Sequence, residues 1–296
     1  MRRDAFSGYN PYVNFIFYIG VLGFSMILKH PIVLLTGFIC AAAYGGYLRR
    51  RRILRTLFCF IFPMMLIGSL LNPLFNHRGQ TILFYLRGNP MTLEAMLFGV
   101  AAAFMVGTVI LWFYTFNDVM TSDKLMHVFG RIIPGLNLLF SMVLRFIPRF
   151  NKQIGVISNA QKCIGRDVSN GSRMDRARHG MKIISVMTTW GLENAVDLGD
   201  SMKSRGFGLR GRTSFFKYRF DSRDSRLTLF MVTMAIIITY GIVTGDANLE
   251  YYPKFIFPPF TLRSIVTFIA YFLFSSIPLA VDFQEDLKWK RLKSRI

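Results

Sequence analysis

The sequence predicts an all-α polytopic membrane protein, with about six transmembrane helices and a basic helical region between the fourth and the fifth. Three observations carry that prediction. Hydrophobic residues make up 52% of the 296, with 30 Phe among them. They gather in runs near the ~20 residues that cross a hydrocarbon core. The net charge is +20, yet Lys and Arg sit at the ends of those runs and in one central stretch, where cytoplasmic retention places them. Six spans with both termini inside put every basic segment on that one side.

Span one is Tyr12–Leu28. It is longer than a signal-peptide core of roughly 7–15 residues and leads into Lys29-His30-Pro31, so it reads as a retained span. Span two is Ile32–Leu48, where Ala41, Ala42, Gly45 and Gly46 offer small faces for close helix packing. The run Arg49–Arg55 is too cationic to translocate and marks a cytoplasmic loop. Span three, Ile53–Leu71, is expected to kink at Pro63. Asn72–Pro90 is external, with a β-like middle at Thr81–Leu86. Asn89-Pro90 has the form of a helix start, a capping residue before proline, for span four, Met91–Phe116.

From Asn117 to Arg226 basic residues outnumber acidic ones by about two to one, and apolar residues recur at helical spacing rather than in blocks. The chain therefore divides into residues 1–116 (spans one to four), 117–226 (cytoplasmic helices) and 227–296 (spans five and six with a basic tail). Within the middle part, Leu125–Ile147 reads as an amphipathic helix at the inner membrane face, interrupted by Arg131, Pro134 and Arg145 and ended by Pro148. Phe150–Gly165 is a second helix, Ser169–Ser172 a turn, and Arg173–Arg205 a third, long helix. Span five is Leu227–Val243, with Gly241 and Gly245 spaced for packing. Tyr251, Tyr252, Phe257 and Phe260 suit an aromatic interface belt before span six, Ser264–Val281.

Little here suggests catalysis. His30, His77, His127 and His179 are scattered and read as surface or interfacial residues. Cys40, Cys59 and Cys163 form no CxxC pair, so neither a disulfide framework nor a zinc site is expected. No cofactor, resident metal or nucleic-acid partner is expected. Glu94, one turn into span four, reads as a helix-start charge. A lipid-modifying enzyme would need a cluster at the inner face, for which Asp118 and Asp123 are the nearest acids. A self-contained permease would need polar groups converging at mid-membrane, and the spans offer few. Gly206–Gly211 matches GxGxxG, but it follows a helix, whereas a dinucleotide loop follows a strand and opens one.

The third helix ends at Ser204-Arg205-Gly206. Gly206 can take the left-handed conformation that stops a helix. Arg205 then has two readings. A cation there offsets the helix's negative end by ~0.3–1 kcal/mol; alternatively, flanked by small residues, it docks a partner's carboxylate through paired hydrogen bonds.

At these residues the sequence resembles the transmembrane T component of energy-coupling factor (ECF) transporters, the EcfT/CbiQ family. Ser204-Arg205-Gly206 is similar to that family's second signature, a small residue, Arg and Gly ending a coupling helix. Ala160–Asp167 (AQKCIGRD) is similar to the first signature, with Ile164 where an arginine is expected and Arg166 after the glycine. FSGYNPYVNF at the N-terminus, NPLFNHRG and Thr121–Lys124 add to the likeness. The resemblance implies a non-catalytic membrane scaffold in the bacterial cell membrane. Ser204, Arg205 and Gly206 would dock one ABC-type ATPase, and Cys163, Ile164, Gly165 and Arg166 a second. Apolar surfaces would hold a small integral membrane S component that captures a vitamin or metal ion.

Overall fold

The structure, a computed structural model, describes residues 4–76, 79–86, 89–130, 134–207, 209, 218–245, 249, 251–252 and 261–293. In chain order, a 3-10 turn (Phe6–Gly8) precedes α1 (Pro11–Ile27), α2 (Pro31–Thr56) and α3 (Phe62–Phe75). A hairpin of β1 (Ile82–Leu86) and β2 (Asn89–Thr92) leads to α4 (Leu93–Val119) and α5 (Ser122–Gly130). Next come α6 (Pro134–Cys163), α7 (Arg173–Ser204), α8 (Ser222–Val243) and α9 (Leu262–Lys293). Packing divides the chain into two units, Met1–Val128 with Tyr218–Ile296, and Phe129–Lys217.

The first unit is an all-α bundle of membrane-spanning character. Pro31–Arg49, Ile53–Phe75, Leu93–Val119, Ser222–Val243 and Leu262–Lys293 are long and apolar enough to cross a bilayer. α1 is a shorter apolar helix of 17 residues, about 25 Å long at 1.5 Å per residue. Asn10 caps it by accepting from Tyr12 N at 3.1 Å, with Pro11 at the first helical position. Phe17 lies at the centre of the core, its ring 5.5 Å from those of Trp112 and Phe274 and 5.3 Å from Phe6. Ala41 is fully buried and Gly45 faces Ile53 and Thr115, so the small face of α2 is used for packing. α3 and α4 approach closely at Gly99, where a Cβ would lie 2.7 Å from the Ser69 carbonyl oxygen. Gly241 packs on Thr267 of α9, whereas Gly245 (φ 77°) ends α8.

Several local expectations change. The basic run is helical: α2 breaks only at Arg49 (φ −146°, ψ 71°) and resumes directly into the third span. The expected disturbance at Pro63 is a π-helical turn at Leu57–Ile61, one turn earlier, where the ladder adjusts to the missing proline N–H. Asn89-Pro90 does not start α4. These residues pair with Leu86 and Tyr85 in the hairpin, and Thr92 caps the helix instead. Glu94 is buried and accepts from the backbone of Gln80 (3.3 Å) and Thr81 (3.2 Å), fastening the hairpin to α4. Tyr251 is buried against Phe98 and donates to the Lys29 carbonyl at 2.8 Å, so it ties a loop to the bundle rather than serving an interface belt. Phe257 and Phe260 lie outside the described residues.

The second unit is a helical pair. α6 runs through Pro148 without ending, 30 residues in all, so the expected break there is absent. A mid-helix proline costs ~3 kcal/mol; here the apolar stripe continues on both sides of it, from Phe146 through Phe150 to Ile157, and packs on α7. Arg131 lies outside the described residues. Phe150 meets Trp190, ring centres 5.2 Å apart, and Ile157 joins Ile183 and Met187. Numbers rising on α6 meet numbers falling on α7, so the helices run antiparallel. Ile184, next to Ile183 on α7, is 60% exposed.

Candidate functional site

The candidate site is the pair of helix ends in the second unit. α7 stops at Arg205 because Gly206 takes φ 78°. Gly206 N donates to the Lys203 carbonyl at 2.9 Å and Phe207 N to that of Met202 at 3.0 Å. This is the Schellman arrangement, which satisfies the last carbonyls of a helix. α6 stops in the same way. Gly165 takes φ 73°, its N donates to Lys162 O at 3.0 Å, and Arg166 N donates to Gln161 O at 2.9 Å. In both ends a β-carbon at the glycine would force a left-handed conformation costing roughly 1–2 kcal/mol.

The side chains at both ends face solvent. Ser204 and Arg205 are exposed, as are Cys163, Ile164, Gly165 and Arg166, while Gly206 is half-buried. Ser204 Oγ donates to the Ser201 carbonyl at 2.9 Å. Lys203 lies 3.9 Å from Asp200, an exposed pairing that is worth little. Beyond α6, Asp167 accepts from Ser169 N (3.0 Å) and Oγ (2.6 Å), which holds its carboxyl below the usual range and shapes the turn before α7.

The two ends are not brought together. Measured from the packed stretch Phe150–Ile157 and Ile183–Trp190, the α6 end projects roughly 15 Å one way and the α7 end roughly 25 Å the other, at 1.5 Å per residue. Between them, Val143, Phe146, Ile147, Phe150, Ile154 and Ala195 line an open apolar groove of about 590 Å³. Arg149 stacks over Trp190 at 5.6 Å beside it. Leu192 and Val196 of α7 and Val156 of α6 are more than 60% exposed, a density of exposed apolar side chains that marks an interaction surface.

The sequence reading missed a polar clamp at one end of the first unit. Asp282 Oδ1 accepts from Ala5 N (2.8 Å) and Phe6 N (3.1 Å), and Asp224 Oδ1 from Asn10 N (3.1 Å). Lys124 is buried and donates to the Ser7 and Val119 carbonyls. With the Asn14 amide turned to suit its neighbours, its oxygen also accepts from Lys124 at 3.3 Å. Burial pushes the Lys124 ammonium down to about 8, with Asp4 acting in the opposite sense. Thus FSGYNPYVNF and Thr121–Lys124 meet in space, in a structural role. An acid placed just past an apolar run, Asp282, was the available signal.

Other candidates take structural places. Asp118 pairs with Arg49 at 3.0 Å, and Asp123 is exposed at the start of α5. His30 is a buried N-cap, its Nδ1 accepting from Ile32 N at 3.4 Å, rather than a surface residue. His127 lies between the Tyr12 and Tyr218 rings. His77, Gly208, Arg210 and Gly211 lie outside the described residues. Among the described residues no three His, Cys, Asp or Glu side chains are grouped to hold a metal ion.

Fold and site together define a polytopic α-helical membrane protein carrying an antiparallel helix pair with two exposed, Schellman-terminated ends. No family model matches the chain. Among curated proteins it is similar to the energy-coupling factor transporter transmembrane protein EcfT of Lactococcus lactis subsp. cremoris. The two are 34% identical over 104 residues, 35% of this chain and 39% of that protein. It is also similar to the EcfT proteins of Exiguobacterium sibiricum (30% over 104 residues; 35% of this chain, 40% of that one) and Bacillus subtilis (26% over 106; 36% and 40%). The matched stretch spans about two fifths of the length of these relatives. These likenesses support an ECF transporter transmembrane T component.

Proposed function

We propose that this chain is the coupling subunit of an ATP-driven importer in the bacterial cell membrane, with both termini and residues 117–226 in the cytoplasm. It links two cytosolic ABC-type ATPases to a small S component that captures a vitamin or metal ion. The observation that carries the reading is the pair of like-built helix ends, projecting in opposite directions from one helix pair and presenting Arg205 and the Ile164–Arg166 segment to solvent.

The chemistry follows from that shape. A guanidinium at an exposed helix end reaches a partner's carboxylate, and the bond to a charged group contributes ~1.5–3 kcal/mol. Gly206 gives clearance and Ser204 adds little bulk, so the end enters a groove. Each rigid helix then transmits movement of its ATPase to the apolar groove between α6 and α7, where the aliphatic and aromatic surfaces of Val143, Phe146, Ile147 and Ile154 pack against the S component. Hydrolysis belongs to the partners; this chain supplies position and leverage.

The test is isolation of the tagged chain from the membranes of its own organism in mild detergent, with identification of what accompanies it. Two P-loop ATPases and one small integral membrane protein are expected. Recovery of the chain alone, with solute bound to it, would overturn the reading.

A further inference from the structure

We propose that the cleft between α8 and α9 binds one anionic phospholipid, its phosphate held by Arg223, Arg226 and Lys288 and its acyl chain laid on Leu227, Leu273 and Ile277. The inference does not depend on the docking role given above. These six side chains line one open cleft of about 450 Å³ in the first unit. Farther along the same pair of helices Gly241 meets Thr267, so numbers rise on α8 as they fall on α9. The three cations therefore gather at one end of the cleft and the apolar wall runs away from them. All three are exposed and, among the described residues, none of them is in an ion pair. Asp224 and Glu285, acids on the same two helices, line the adjacent cavity beside Asp4–Asn10 rather than this cleft. Asp224 is moreover buried and committed, its oxygens accepting from Asn10 N at 3.1 Å and Asp221 N at 2.9 Å.

Depth and charge together choose the occupant. Arg223 and Arg226 stand one to four residues before the apolar run that begins at Leu227, roughly 2–6 Å along the axis at 1.5 Å per residue. Lys288 stands seven residues past Val281, roughly 10 Å, and its long stem reaches back along the helix. The head-group layer on each side of a bilayer's hydrocarbon is roughly 5–8 Å thick. The cleft thus straddles the boundary, cationic in the polar layer and apolar below it. Basic pockets between transmembrane helices at a membrane face receive acidic lipid head groups, and a guanidinium fork matches phosphate oxygens in pairs. A free phosphate would satisfy only the cationic end and leave the apolar wall uncovered. A head group with its own ammonium would set that charge against three others, so the lipid is one of net negative charge.

Tryptophan quenching by brominated lipid tests the site in the full chain. Phe230, 40% exposed, also lines the cleft, and Phe230→Trp is placed in a Trp190→Phe, Trp289→Phe chain whose remaining Trp112 is fully buried. Vesicles mix phosphatidylcholine and phosphatidylglycerol, with bromine on the acyl chains of one or the other. About a tenfold preference for phosphatidylglycerol is expected at position 230. Ile236→Trp, on the same helix beyond the cleft and 64% exposed in the parent chain, should show almost none. Arg223→Gln with Arg226→Gln and Lys288→Gln should abolish the preference. Ala280→Phe keeps the cations but fills the cleft, and should cut quenching by phosphatidylglycerol severalfold. Equal quenching by the two lipids at position 230, the same preference at both positions, or a preference that survives the triple change would overturn the proposal. Loss of the preference on adding excess inorganic phosphate would make this a free-anion site instead. Acidic phospholipid should also stay with the complex isolated in mild detergent, by mass spectrometry, and fall with the triple change; a complex free of it would give the cleft to a partner's helix and overturn the assignment.

Discussion

Reversing the charge of Arg205 should remove one ATPase and leave the membrane protein standing. The substitution is Arg205→Glu. Within the chain its cost is small: Arg205 is exposed at the last position of α7, and the Schellman bonds at Gly206 and Phe207 use backbone atoms only. Losing a favourable cation at a helix C-terminus and placing an anion there costs about 1–2 kcal/mol in all, confined to the last turn. Nothing in the first unit's core depends on it. In the docked state the loss is larger. A charge-assisted bond of ~1.5–3 kcal/mol disappears, and a carboxylate now faces the partner's carboxylate. Roughly a hundredfold or greater weakening follows at ~1.4 kcal/mol per factor of ten. Arg205→Lys keeps the charge but not the planar fork, and should give an intermediate loss of about tenfold. The assay is quantitative co-purification of each ATPase with tagged wild-type and variant chains, with membrane yield and detergent melting as controls. Full ATPase recovery with Arg205→Glu would refute the docking role and leave Arg205 a simple helix-end charge.

Other expectations follow from single contacts. Gly206→Ala strains a φ of 78° by roughly 1–2 kcal/mol; ATPase co-purification should drop severalfold while melting of the bundle is unchanged, and no drop would separate the turn from docking. Gly99→Leu drives a side chain into the Ser69 carbonyl, 2.7 Å from the first added atom, so detergent melting should fall by the equivalent of about 1–3 kcal/mol or more; Gly23→Ala, with open space around it, is the neutral comparison. Asp282→Ala strands the Ala5 and Phe6 amides, which should lower stability by about 1–3 kcal/mol in the same measurement. Lys124 titrates at about 8 in the folded chain against an ordinary 10.5, so the unfolded chain holds that proton more tightly. Wild-type stability relative to Lys124→Met should therefore rise from about pH 8 to 10.5, by at most ~3 kcal/mol. A relative stability that falls over that window would contradict the burial of the charged group.

The spans were legible because they depend on long apolar runs and on where Arg and Lys stop them. Local breaks were harder to read. Pro148 looks like a terminator in sequence, but continuity of the stripe from Phe146 to Ile157 across a facing helix outweighs one missing hydrogen bond. Asn89-Pro90 looks like a cap, but a strand partner at Tyr85 and Leu86 claims it, and Thr92 offers a second cap three residues on. In the candidate site, Gly206 and its stop were readable from the residue type alone. At the α6 end Gly165 was visible in the sequence, but that its stop repeats the hydrogen-bond pattern of Gly206 was not. The clamp of Asp282, Lys124 and Asn14 escaped because its partners are backbone groups distant in sequence.

Coupling is tested most directly by uptake in proteoliposomes. Vesicles would hold either the chain alone or the chain with its co-purified ATPases and small membrane protein, with the solute that the small protein binds supplied outside and ATP supplied on the ATPase side. Uptake is expected only from the full set, only with ATP, and not when the set carries Arg205→Glu. ATP-independent uptake by the chain alone would contradict the coupling role and make this chain a permease in its own right.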